Sequence, residues 1–273
     1  MKKELGTYIL SCLIITNILW YVLYSIQEKN EGSIAFLLLM LLASFMPAII
    51  AIIMCKLKKE KLRTLLLFPN IKKSWKIYLI AIFISLLIVY SSDFLPLLFF
   101  PEDVLLVSEN LAFIFIGKII IFTIFSTIES IGLLGEELGW MGYLFPGLEK
   151  EYGTFPSIFI ISIIRTLWHL VILIKIDGSL FSVCNLFISN LFLHSLLVYV
   201  TKKSNSVFPA AIVHSITNIM IALSFVSYTE EFYNNNLIKF SLIELIPIIV
   251  VGTVFFMLLY KDKDINKKAD NDG

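Results

Sequence analysis

The chain has 273 residues, 58% of them hydrophobic and only 16% charged, with a mean hydropathy of +0.89. A soluble domain is about a quarter charged, so the composition excludes a water-soluble globule and points to the bilayer. With 22 Lys and Arg against 21 Asp and Glu the net charge is +1, which leaves no basic footprint for nucleic acid. Cys12, Cys55 and Cys184 lie in apolar runs without metal-type spacing, which argues against a disulfide framework or a thiolate zinc site.

A membrane-crossing helix needs about 20 mostly apolar residues. About eight such runs follow one another: 6–26, 34–55, 77–99, 111–134, 155–175, 179–200, 208–228 and 242–260. The expected fold is an all-α polytopic membrane protein, one domain over 1–260. The first run follows Met-Lys-Lys-Glu and shows no small-x-small cleavage site before Gln27, so it reads as an uncleaved anchor. The fifth and sixth runs are separated only by Lys175–Gly178 and are expected to form a helical hairpin. Residues 261–273 form a charged tail expected to be disordered. If the N-terminus is inside, 17 of the 22 Lys and Arg fall in inner segments and three in outer loops. That asymmetry predicts cytoplasmic N- and C-termini.

Ionisable residues at membrane depth tend to mark function. Glu136 and Glu137 sit in GEELGWMGYL at the expected cytoplasmic end of the fourth run. Adjacent carboxylates point about 100° apart on a helix, so one of the two is expected to face a given cavity. A carboxylate withdrawn from water suits a general base that activates water; the plainer reading is a solvated pair at a helix end. Arg165 and His169 share a helix face at i, i+4, and a carboxylate between them would reconcile their charges. His214 and Asn218 share a face in the same way and can both donate to one oxygen, or can serve as hydrogen bonds between helices. Asn190 and His194 have the same spacing and read as interhelical bonding. Asn185 is a further amide within a run, while Lys118 is expected to snorkel outward and Glu129 to reach the inner interface, without assigned roles. Zinc is an alternative organiser, held by Glu136, His169 and His214, although two His at i, i+4 with Glu between them are absent. At 1.5 Å per residue, His169 lies about 20 Å from the inner end of its run and His214 about 9 Å. For both to meet Glu136, the segment 135–153 must dip into the membrane, ending at Pro146 and Gly147, or the fifth helix must begin in the cytoplasm.

Taken together, Glu136-Glu137-x-x-x-Met141, Arg165-x-x-x-His169 and His214-x-x-x-Asn218 resemble the motifs of the CPBP intramembrane proteases. That group contains the type II CAAX prenyl endopeptidases and the bacterial Abi, or bacteriocin-immunity, proteins. The resemblance covers roughly residues 120–220. It implies that Glu136 activates water with help from His169, that Glu137 supports it, and that His214 with Asn218 stabilises the oxyanion. Family members have been described both as metalloproteases and as glutamate-dependent enzymes. Two departures stand out: Met141 takes the place of the family's Arg, and Arg165 that of its Phe. The pair of swaps suggests that the guanidinium has moved to the next helix, where Arg165 supports the carboxylates.

The expected activity is therefore an intramembrane endopeptidase acting on a peptide or membrane-protein substrate, with the active site facing the cytoplasm. The Lys-, Asn- and Ile-rich composition leans toward a bacterial plasma membrane. Two other readings stand beside it. One is an inactive pseudoprotease or immunity protein that binds without cleaving; the other is a proton-coupled transporter, against which the lack of an inverted repeat argues.

Overall fold

The computed structural model describes residues 2–30, 33–101, 104–106, 117, 132–176, 178–218 and 226–271. Among the described residues the regular structure is helical apart from one short antiparallel pair, β1 (Val104–Leu106) with β2 (Val226–Tyr228). Among the described residues, five helices are long and apolar enough to cross a membrane, over Lys2–Ile26, Ile34–Leu57, Ile71–Leu98, Leu180–Ser204 and Asn235–Asp262. The expected fourth run, with Lys118 and Glu129, lies almost wholly outside the described residues.

The first half of the chain follows its caps and breakers. Helix α1 (Lys2–Asn30) is followed by α2 (Ile34–Leu57), where the Ser33 side chain accepts from the Phe36 N–H at 3.2 Å. A single 3₁₀ turn, Leu62–Leu65, follows and ends at Leu66 with φ of 56°. Asn70, also left-handed, precedes α3 (Ile71–Phe94).

From residue 132 the chain differs from expectation. Residues 132–139 (α4) continue through a π-helical stretch, Trp140–Leu144, into α5 (Phe145–Tyr152). The segment 135–153, expected as a separator with a helix end at Pro146 and Gly147, is helical from 135 to 152. Pro146 stands in the first turn after the π stretch, where the missing N–H is tolerated. The break comes at Gly153, whose φ of 82° and ψ of 171° belong to a region open to glycine alone.

Beyond Gly153, α6 (Thr154–Trp168) stops at His169 and resumes as α7 (Leu170–Ile176), so the expected fifth run is broken. Helix α8 (Leu180–Ser204) starts at Ser179, which accepts from the Ser182 N–H at 3.1 Å, and it pairs with α7 across Gly178 as the hairpin reading required. Helix α9 (Phe208–Asn218) has 11 residues, shorter than the expected seventh run. The last helix, α10 (Glu230–Asn271), carries the backbone of the charged tail with it, since no Gly or Pro stands between Gly252 and Asn271.

Helix α8 is the hub, packed against α3, α6, α9 and α10. Its approach to α10 is close. A Cβ on Gly252 would lie 2.6 Å from the Phe192 carbonyl oxygen, and the Ser195 hydroxyl donates to the Gly252 carbonyl at 2.8 Å. On the other flank α4 packs on α2 through Gly135 and Gly139, four residues apart on one helix face. A Cβ on Gly139 would sit 2.5 Å from the Pro47 Cβ, and one on Gly135 would sit 2.9 Å from the Phe45 Cα. Small residues at this spacing let two backbones approach within the bilayer. With glycine toward α2, the intervening Glu136 and Glu137 turn inward.

Candidate active site

The Gly153 turn sets the level of the site. Glu137 lies 16 residues before it and Arg165 12 after it, about 24 and 18 Å along the two arms of one helical hairpin. The carboxylates and the guanidinium therefore meet near mid-height. Glu136 (4% exposed), Glu137 (0%), Arg165 (1%) and His214 (4%) form one buried cluster. The solvated-pair reading of the two glutamates is excluded.

Arg165 joins them. Its Nη1 donates to Glu137 Oε1 at 3.1 Å and its Nη2 to Glu136 Oε2 at 3.3 Å. Both carboxylates thus reach the same centre, where helix geometry predicted one; the fork of the guanidinium spans their angular separation. His214 Nδ1 stands 2.9 Å from Glu137 Oε1, a contact that needs the proton on Nδ1. Arg165 Nη2 lies 3.0 Å from His214 Nε2 and 3.3 Å from Nδ1. Near-equal distances to both nitrogens place it against the ring face. Glu137 Oε2 and Arg165 Nε have no hydrogen-bond partner among the described residues. Met141 is fully buried within the apolar core. The guanidinium that bonds the two carboxylates comes from Arg165 on α6.

His169 occupies the break between α6 and α7, where its Nδ1 donates to the Arg165 carbonyl at 2.8 Å and leaves Nε2 as an acceptor. Its ring stands edge-on to Trp168 at 4.5 Å. Trp168 in turn meets Trp20 at 5.9 Å and Trp140 at 6.0 Å, and Trp140 meets Tyr8 at 6.2 Å. This aromatic ladder seats the helix break.

Beside the cluster lies a cavity of about 270 Å³. Arg165, His169, His214 and Asn218 all line it; Glu136 and Glu137 are not among its lining residues and stand behind Arg165 and His214. The reading of Asn190 and His194 as interhelical bonding agrees with the structure. Asn190 donates to the Thr166 hydroxyl at 3.2 Å, and the His194 Nδ1 bonds the Asn190 carbonyl at 2.5 Å and meets the Ser162 hydroxyl at 3.3 Å. Asn185 lines the cavity.

The zinc alternative can be tested on the donors themselves. Among the described residues no group of three His, Cys, Asp or Glu side chains is arranged to hold a metal ion. The space between Glu136 and His214 is filled by Arg165 Nη2, which is itself the cation there. The residues do not fit zinc.

One polar lining residue was missed. Glu244 lies within an otherwise apolar span and borders the same cavity from α10. Its position at the start of the last apolar run was the available signal, and a lone charge at a run's end reads as an interface residue.

Residues 112–220 match the family model described as type II CAAX prenyl endopeptidase Rce1-like, which supports the resemblance carried by the motifs. The matched segment holds Glu136, Glu137, Arg165, His169, His214 and Asn218. The chain matches no curated protein.

Proposed function

From an Rce1-like type II CAAX prenyl endopeptidase domain over residues 112–220, we propose that this protein is an intramembrane endopeptidase that hydrolyses peptide bonds with an activated water. The observation that carries the reading is the buried Glu136–Glu137–Arg165–His214 cluster, whose Arg165 and His214 line a cavity with His169 and Asn218 while the two carboxylates stand directly behind them.

The roles follow from what holds each group. Glu137 Oε1 takes bonds from both Arg165 and His214, which suits the fixed, supporting carboxylate. Glu136, whose Oε2 accepts from Arg165 Nη2, serves as the base that takes the water's proton. His169 presents its acceptor Nε2 at the cavity and assists. Asn218 and the positive charge of Arg165 face the oxygen on which negative charge develops as water adds to the carbonyl. His214 spends its Nδ1–H on Glu137, so it orients the carboxylate as well as flanking the oxyanion. No step runs through a metal.

The fold proposal that goes with it has eight membrane-embedded segments, both termini inside, and a plasma-membrane location in a bacterium, with peptide processing or bacteriocin self-immunity as the setting. The decisive assay incubates the purified full chain, in detergent and in vesicles, with a quenched fluorescent peptide library. Glu136→Gln should lower cleavage at least about 100-fold, while 1,10-phenanthroline should leave the wild-type rate unchanged. Cleavage that survives Glu136→Gln, or that the chelator abolishes, overturns the mechanism. An inactive immunity protein would instead cleave nothing and keep its protective phenotype with Glu136→Ala.

A further inference from the structure

The cavity has a second chemical end that the hydrolytic cluster does not use. Glu244 borders it from α10, inside a span that is otherwise apolar over most of its length. Its carboxylate makes neither an ion pair nor a hydrogen bond among the described residues. The neighbouring cation, Arg165, is engaged by Glu136 and Glu137. The backbone beneath Glu244 is held, because the Ser92 hydroxyl donates to its carbonyl at 2.9 Å. Asp93, buried next along α3, acts on Glu244 with a second negative charge. Ile88, Val89, Leu193, Leu245 and Ile248 supply aliphatic wall beside it, and Ser92, Ser189 and Ser241 add hydroxyls to the same lining.

A cavity with aliphatic wall and one carboxylate that no cation among the described residues pairs has a matching ligand chemistry. An unpaired charge at membrane depth is costly, and a cation at the end of an aliphatic stem both neutralises it and covers the walls. About 270 Å³ is far more than a bare ion needs and suits a long side chain. We propose that this cavity is a specificity pocket for a Lys or Arg side chain of the peptide substrate, with Glu244 as its counter-ion. The proposal takes its peptide from the hydrolytic reading above, but the binding of an alkyl cation does not depend on catalysis.

The two are separated by using small probes on the purified full chain. n-Pentylammonium and n-pentylguanidinium are titrated against n-pentanol and n-pentanoate, and binding is followed by thermal shift and tryptophan emission. The cations should bind at least about 10-fold more tightly than n-pentanol, as expected for one charge-assisted bond. Glu244→Gln should erase that difference, Glu244→Asp should keep it, and Glu136→Gln should leave it unchanged. In the peptide library, cleavage should favour Lys or Arg over norleucine at one position, and Glu244→Gln should remove the preference. Equal binding of cation and alcohol, or a preference that persists in a folded Glu244→Gln, overturns the pocket. Cation binding without any cleavage keeps the pocket and sinks the protease.

Discussion

Arg165 is the residue on which the cluster turns, because three bonding partners, Glu136, Glu137 and His214, depend on one fork of nitrogens in a water-poor site. Removing one partner of a buried ion pair leaves the others uncompensated and costs about 3–5 kcal/mol. Arg165→Phe, the residue the family pattern carries, is therefore expected to abolish cleavage and lower the thermal midpoint of the detergent-solubilised chain. Adding Met141→Arg should restore part of both; a double variant no better than the single would show that the guanidinium had not moved from one helix to the next. Arg165→Lys should recover little, since a single ammonium cannot span two carboxylates in a fork. The motifs made Glu136, Glu137, His169, His214 and Asn218 legible as a set, and the two departures pointed to Arg165. What the motifs could not show is that the carboxylates stand behind the cavity wall. That depends on which helix face α2 takes up, and nothing in the local pattern encodes it.

At the scale of elements, the site depends on close backbone contact. A Cβ on Gly139 would lie 2.6 Å from the Pro47 carbonyl carbon, which cannot move aside as a flexible side-chain tip would. Gly139→Ala should destabilise the fold by about 1–3 kcal/mol. Gly6→Ala in α1 meets nothing within 4 Å and should be neutral or stabilising; thermal unfolding of the two variants side by side checks both. Gly153→Ala should cost about 1–3 kcal/mol through its backbone conformation alone, and should lower activity by splaying the hairpin. Pro146 and Gly147 looked like the helix end because proline and glycine usually punctuate. The chain passes through them as unbroken helix, with the widened π-helical turn Trp140–Leu144 directly before Pro146, and the conformation that only glycine tolerates falls at 153 instead.

Across the whole molecule, hydropathy identified where the chain is apolar but not which stretches cross unbroken. Helices α6, α7 and α9 are short, and the break at His169 faces the cavity. Interrupted helix at membrane depth is tolerated where it lines a cavity or is buried in protein. Composition alone cannot distinguish that from a single continuous span. The three-residue pairing of β1 with β2 was equally hidden, since strands this short carry no period. The orientation proposal has a direct check. Gly178→Cys should react with a membrane-impermeant maleimide on intact cells, whereas Lys203→Cys should react only after permeabilisation, once Cys184, the exposed native cysteine, has been replaced by Ser. The reverse pattern would turn the protein over.

The aromatic ladder gives the protein a built-in optical gauge. Of four tryptophans, Trp20, Trp140 and Trp168 are sealed from water, and their indole N–H groups meet no acceptor among the described residues, whereas Trp75 is 52% exposed. Emission from the sealed three should fall well to the blue of Trp75 and couple strongly in near-ultraviolet dichroism. Because Trp168 abuts His169 at the cavity wall, a molecule entering that chamber should dim or shift the blue component alone. Replacing Trp75 with Phe would leave a label-free signal tuned to occupancy of the interior.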